Sequence, residues 1–197
     1  MKLKIAAILI VFDLILIFFI VTIIMEKQGE AERVADIQTK LAQYETPYLY
    51  GVILEDGGQN GEVVGCGDSL VPAVYYTSEN FKNVKKGMVK ESHIADVIRA
   101  LFITSNESIG GADDNEFGNG VLYTAAHQPD LTVEGIETNG DTANVFMSGT
   151  ITLGGACDTP RFVRQLEKTA IQFEGIDYAR FYLDGSEAKF QEMLSSQ

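Results

Sequence analysis

The sequence predicts an α+β protein: an N-terminal transmembrane helix, then a mainly antiparallel sheet with two helices packed on one face. Three observations carry this. Ile5 to Met25 is apolar except for Asp13 and Thr22. Beyond Pro47, runs rich in Tyr, Val, Ile and Leu are separated by Gly-rich turns, the pattern of strands. Two later segments, from Ser92 and from Thr159, instead space their apolar residues by three and four, the period of a helix. In chain order the elements read strand, strand, helix, strand, strand, helix, strand, which gathers the helices on one face of the sheet.

The first element is the apolar run. A helix of about 21 residues rising about 1.5 Å each covers roughly 30 Å, the thickness of a bilayer's hydrocarbon core. Residues 5–25 are therefore expected to cross the lipid bilayer. A cleavable signal peptide has a shorter apolar core and a small-residue cleavage site, whereas Thr22-Ile23-Ile24-Met25-Glu26-Lys27 offers none. The run is expected to remain as a signal anchor, residues 1–25 forming cytoplasmic tip and span. Lys2 and Lys4 flank its short side, and positive flanks stay cytoplasmic, so residues 26 onward are expected outside the cell membrane.

Residues 26–46 are polar, with Val34, Ile37, Leu41 and Tyr44 at helical spacing, and read as a helical stalk. This stripe covers under two heptads, which leaves a homo-oligomer through the stalk an open alternative. Pro47 ends the stalk, because the residue before a proline is pushed out of the helical region. Residues 47–185 then form the domain, and residues 186–197 a C-terminal tail with a short helix from Ser186 to Leu194.

Within the domain, Tyr48–Glu55 and Leu70–Thr77 are expected strands joined by a turn over residues 56–61, and Pro72 makes the second an edge or bulged strand. Ser92 is expected to cap a helix whose face is Ile94, Val97, Ile98, Leu101 and Phe102. After a loop from Thr104 to Gly120, Asn139-Gly140 joins Leu131–Thr138 and Thr142–Gly149 as a hairpin. Leu131 and Val133 share one parity and Ile136 the other, which marks Gly135 as a bulge. Thr159 as N-cap and Pro160 at the first helical position open a second helix carrying Phe162, Val163, Leu166, Ala170 and Phe173, and Gly175 stops it. Ile176–Leu183 is the last strand, with Ala179, Phe181 and Leu183 on one face and Tyr178, Arg180 and Tyr182 on the other.

In this order, the Leu70-Val71-Pro72 strand start, the Ile94–Thr104 helix, the Leu131–Gly149 hairpin and the Phe162–Gly185 stretch ending in Asp184-Gly185 resemble the GerM-like (GerMN, sporulation and spore germination) domain. The resemblance covers roughly residues 48–185. It implies an extracytoplasmic, envelope-associated bacterial module with no enzymatic activity to assign to named residues.

Charge narrows the partners. The chain carries 15 basic and 28 acidic residues; without Lys2, Lys4 and Asp13, 13 basic and 27 acidic remain, a balance of −14 outside. Such a surface repels phosphate backbones, so no nucleic acid is expected as partner. Cys66 and Cys157, each in a Gly-rich turn, are expected to form a disulfide, since disulfides persist outside the cytoplasm. Two distant cysteines and two histidines do not make a metal site, and no cofactor is expected.

Gly67-Asp68-Ser69-Leu70 spells the opening motif of GDSL-type esterases, in which the serine attacks with the help of a histidine. The required C-terminal histidine is missing, since His93 and His127 are the only two and neither lies near the C-terminus. Asp113-Asp114-Asn115-Glu116 lacks EF-hand ligand spacing, which favours a solvated acidic loop over a calcium site. Tyr178, Arg180 and Tyr182 are the expected binding residues, because Tyr and Arg are enriched at protein interfaces. The competing view is that the strand tyrosines cover sheet edges. The expected function is a noncatalytic binding or assembly module of the cell envelope, contacting an envelope protein or a cell-wall polymer; an esterase acting through Ser69 is the alternative.

Overall fold

The computed structural model describes residues 46–195 other than 77, 79, 80, 82, 83, 86 and 110–121. The expected span at 5–25, nearly all of the stalk and the acidic loop at 113–120 lie outside the described residues. Among the described residues no helix is long and apolar enough to cross a membrane.

The domain is α+β, but its strands form two sheets where the sequence predicts one. The first contains β1 (Tyr48–Ile53), β2 (Glu62–Val64), β3 (Asp68–Tyr75) and β4 (Leu122–Tyr123), antiparallel in the order β2-β3-β1-β4. The second contains β5 (Leu131–Asn139), β6 (Thr142–Gly149) and β7 (Tyr178–Leu183) in that order. β5 and β6 are antiparallel, whereas β7 runs parallel to β6. The cause is the connection: α3 (Asp158–Ile171) lies between β6 and β7, and a strand reached through a crossover helix returns in the same direction. The other helices are α1 (Glu91–Ile103), the four-residue α2 (Asn106–Ile109) and α4 (Glu187–Ser195).

Local sequence explains most of these elements. The β5 register shifts between Val133 and Gly135, so Glu134 bulges out and Ile136 comes opposite Val145, which is buried. The β5–β6 turn lies one residue later than expected. Asn139 pairs with Thr142, leaving Gly140 and Asp141 as the two central residues, and Gly140 adopts φ +64°, open to glycine without a Cβ penalty. Pro72 is tolerated in β3 because β2 pairs only as far as Leu70, so its missing N–H opens onto an unpaired edge. The β1 register jumps between Leu49, opposite Val74, and Tyr50, opposite Pro72, which makes Ala73 a bulge.

Two helix starts differ from expectation. Lys90, not Ser92, is the N-cap of α1, and His93 Nδ1 accepts its backbone N–H at 2.9 Å, doing what a capping-box carboxylate does elsewhere. Cys157, not Thr159, caps α3, which places Pro160 in the third helical position, still within the turn where no intrahelical N–H bond is lost. The glycine before the cysteine turn is sterically required: a Cβ on Gly65 would lie 2.2 Å from Pro160 Cγ.

The main core lies between one face of the β5-β6-β7 sheet and the helices α1, α3 and α4. Val133, Val145, Met147, Phe181 and Leu183 from the sheet meet Ile94, Ile98, Leu101, Phe162, Leu166 and Phe190. Three helices share this face, not two, and residues 187–195 are part of the domain, not a tail. Phe190 is 1% exposed, with its ring 5.5 Å from Phe181 and 6.4 Å from Phe162. Replacing a buried Phe by Ala typically costs about 3–5 kcal/mol through lost transfer energy and the residual cavity. Phe190→Ala is therefore expected to lower unfolding stability by about that amount, measured by chemical denaturation; a loss near that of a surface substitution would return α4 to the status of a tail.

Candidate functional site

The face of the second sheet turned away from the helices is set by strand parity. Ala143, Val145 and Met147 of β6 are buried, so Asn144, Phe146 and Ser148 project from the other side. The parallel register places Tyr178 beside Thr142, Arg180 beside Asn144 and Tyr182 beside Phe146. Tyr178, Arg180 and Tyr182 thus come together on one face, as their alternation predicts. Phe146 and Tyr182 stack, ring centroids 4.9 Å apart, and Tyr178 is 62% exposed. Tyr182 Oη lies 3.5 Å from Asn144 Oδ1, at the outer limit for a hydrogen bond. Glu134, lifted by the bulge, accepts a hydrogen bond from Ser148 on this face. Phe146 is the member that sequence reading missed, although its position between Val145 and Met147 carried the parity signal.

A second group of chemistry-bearing residues sits where α3 meets the first sheet. The structure pairs Cys66 with Cys157, Cα atoms 5.7 Å apart, within the range of a disulfide. Beside them, Asp68 is fully buried and its Oδ2 accepts from Arg161 Nε and Nη2, both at 2.7 Å, while Oδ1 accepts the Glu55 N–H at 2.8 Å. Asp158 accepts from Arg161 Nη1 at 3.0 Å, Tyr123 Oη at 2.9 Å and the Gly154 N–H at 2.9 Å. Arg161 also lies 5.4 Å from the centre of the Tyr123 ring. Burial lowers the tendency of Arg161 to hold its proton, but its bonds to Asp68 and Asp158 outweigh that and keep it more firmly charged than usual. Burial, followed by the hydrogen bond to Asp158, pushes the Tyr123 hydroxyl up to about 12.

A cleft of about 310 Å³ opens here, lined by Tyr123, residues 154–158 and Arg161. Its ionic groups already satisfy one another: one guanidinium is shared by two carboxylates whose remaining oxygens accept N–H and O–H bonds. The arrangement joins β3 to α3 and leaves no charged group of the cleft without a partner.

Ser69 belongs to the same region but not to a catalytic set. It is fully buried, its Oγ accepts the Asn60 N–H at 3.2 Å, and its hydroxyl bonds the Asp56 carboxylate. Burial raises the Asp56 carboxyl, but bonds from Ser69, Asn60 and the Gly58 and Asn60 backbone outweigh this and hold it below the usual carboxylate range. The Gly-Asp-Ser-Leu motif is thus a turn and strand start: Asp68 holds Arg161 and Ser69 closes the 56–60 turn. His93 caps α1 and packs its ring 5.2 Å from Phe81, and His127 is exposed. Among the described residues no three His, Cys, Asp or Glu side chains are grouped to hold a metal ion. In comparison with known proteins, no family model, no curated protein and no solved structure matches the chain.

Two outcomes test this geometry. In protein isolated from cells without reductant, alkylation is expected to leave Cys66 and Cys157 unmodified, and reduction to lower stability by up to about 4.6 kcal/mol on the chain-entropy estimate for a loop of this length; complete alkylation of both would refute the pairing. For Tyr123, the folded value of about 12 lies above the ordinary tyrosine value, so the protonated form is favoured by folding. Stability is then fully present below about pH 10 and declines as pH rises toward about 12. Absorbance titration of tyrosinate is expected to contain a late component near the upper end of that window, removed by Tyr123→Phe.

Proposed function

We propose that this protein is a noncatalytic binding or assembly module of the bacterial cell envelope, GerM-like in kind, anchored in the membrane through residues 5–25 with its domain outside. The observation that carries the binding role is the open aromatic face. Tyr178, Arg180, Tyr182 and Phe146 stand together on the side of the sheet away from the helices, and Tyr178 is 62% exposed. Aromatic and arginine side chains are the anchors that carry most binding energy at interfaces. The extracytoplasmic side is supported by the paired cysteines, because a disulfide persists in oxidising compartments. The esterase alternative loses support from the burial of Ser69 and from hydroxyl bonds that already hold it in a turn. The GerM-like reading rests on the sequence resemblance over residues 48–185.

The test is a Tyr178→Ser, Tyr182→Ser double variant of the full chain, crosslinked in its native envelope. Capture of the partner is expected to weaken by about 1 kcal/mol or more per anchoring aromatic, with the melting temperature little changed. Unchanged capture by a folded variant, or a variant that unfolds, would overturn the role of this face.

A further inference from the structure

Resting on the reading of that face as a binding surface, we propose that the partner is an extended polypeptide segment that adds to the sheet along the free edge of β7, with an acidic side chain opposite Arg180. The sheet edges differ in how well they are protected. In the first sheet the edge strands are β2 with three residues and β4 with two, too short to template a partner strand. In the second, β5 is broken by its bulge and carries Glu134 and Glu137. β7 has six residues in unbroken register with β6 and no proline, lysine or bulge. Apart from the single charge of Arg180, it lacks the devices that normally blunt an edge.

The ladder fixes which backbone groups are free. The Tyr178 N–H donates to Asp141 O at 3.1 Å and the Asp184 N–H to Met147 O at 2.8 Å, so even-numbered residues of β7 bond toward β6. The N–H and C=O of Ala179 and Phe181 therefore point away from the sheet, and no bond to them is formed among the described residues. Leu183, the next outward residue, is closed off by reciprocal 3.0 Å bonds with Ser186. Four adjacent groups remain, two donors and two acceptors, the requirement for adding one short strand.

Arg180 supplies the charge preference. Arg99 pairs with Asp96, Arg161 with Asp68 and Asp158, and Arg164 with Glu62 and Glu167. Among the described residues Arg180 is the arginine without an ion pair, although the chain has 28 acidic residues against 15 basic. It stands exposed between Tyr178 and Tyr182 on the edge strand, directly beside the position that an added residue would occupy. A second copy of this chain fits less well. Two-fold pairing that uses all four groups centres on Arg180 and sets it against itself, and like charges directly opposite are destabilising. Shifting the centre to Phe181 brings Ala179 against Leu183, whose groups already bond Ser186.

The probes are an octapeptide of alternating valine and glutamate and its valine–lysine counterpart, each at millimolar concentration against the full chain in detergent, read by amide exchange and chemical shift. The glutamate peptide is expected to slow exchange at Ala179 and Phe181 and to bind at least tenfold more tightly than the lysine peptide. Arg180→Glu should reverse that preference, and Ala179→Pro, which removes one outward N–H, should abolish binding. Absence of protection at these two amides, or an unreversed preference in folded Arg180→Glu, would overturn the proposal even if Ala179→Pro fails to fold. A dimer of the unliganded wild type that Arg180→Glu alters would assign the edge to self-pairing and equally overturn it. If the double tyrosine variant loses capture while the edge experiment fails, the face binds and the strand-addition mode alone is wrong. If capture is unchanged while the two amides are protected, the edge binds and the aromatic face does not.

Discussion

The fold depends on α3 having two buried sides of opposite chemistry. Phe162, Leu166, Ala170 and, just beyond the helix, Phe173 enter the core beneath the second sheet. On a neighbouring stripe Asp158, Arg161, Gln165 and Gln172 bond the first sheet. Gln165, fully buried, donates to Tyr50 O at 2.6 Å and to Thr124 Oγ1 at 3.1 Å, and accepts the Ala125 N–H at 2.9 Å. Gln172 accepts the Tyr48 N–H at 2.6 Å and donates to Tyr48 O at 3.1 Å. An amide carries both donor and acceptor, so it can satisfy an edge strand's backbone where an apolar residue would strand it. That is how β1, with no further strand beside its first residues, is held against a helix.

The N-terminal end of the same stripe explains why charge is buried there. A buried ion pair gains little when desolvation is counted, and removal of one partner is much more damaging than replacement of both. Here the remaining lone pairs of Asp68 and Asp158 are filled by Glu55, Gly154 and Tyr123, so the desolvated carboxylates are fully bonded. The disulfide ties the same two segments, residues 65–68 and the start of α3. Covalent and ionic links thus converge on one junction, which fixes where α3 begins and hence the angle at which its apolar stripe meets the second sheet.

The sequence made periodic elements legible and left contacts between distant residues hidden. The apolar stripes of α1 and α3, the β5–β6 hairpin and a bulge in β5 follow from parity and spacing, although the bulged residue is Glu134 and not Gly135, and the alternation of β7 places Tyr178, Arg180 and Tyr182 on one face. β2 and β4 are too short to show a period. The parallel direction of β7 followed from the strand–helix–strand order, but an antiparallel reading of the neighbouring hairpin masked it. The polar stripe of α3 looks like a solvated face in sequence, because the bonds from Arg161 to Asp68 and from Gln165 to Tyr50 form only through tertiary contact, across 93 and 115 residues, and only the Arg161–Asp158 pair is local. The cysteines were legible as a pair from their Gly-rich turns and the compartment expected of them, whereas the Gly-Asp-Ser-Leu motif pointed to chemistry that its tertiary surroundings turn into a structural junction.

With all of these restraints on the helical side, the outer face of the second sheet carries fewer of them, chiefly the Phe146–Tyr182 stack and the Ser148–Glu134 bond. Tyr178 is 62% exposed, so it contributes little to the core and, in the proposed binding role, would have most of its area left for a partner. At about 25 cal/mol per Å² and roughly 200 Å² for a tyrosine, covering the remainder is worth on the order of 3 kcal/mol before ordering costs. Tyr182 is already stacked on Phe146, which limits its rotamers before any partner arrives and reduces that ordering cost. The face is held by the strands beneath it, with one stacked aromatic pair and one exposed tyrosine on either side of an arginine without an ion pair among the described residues, so in the proposed binding role substitutions there would alter affinity without loosening the junction at α3.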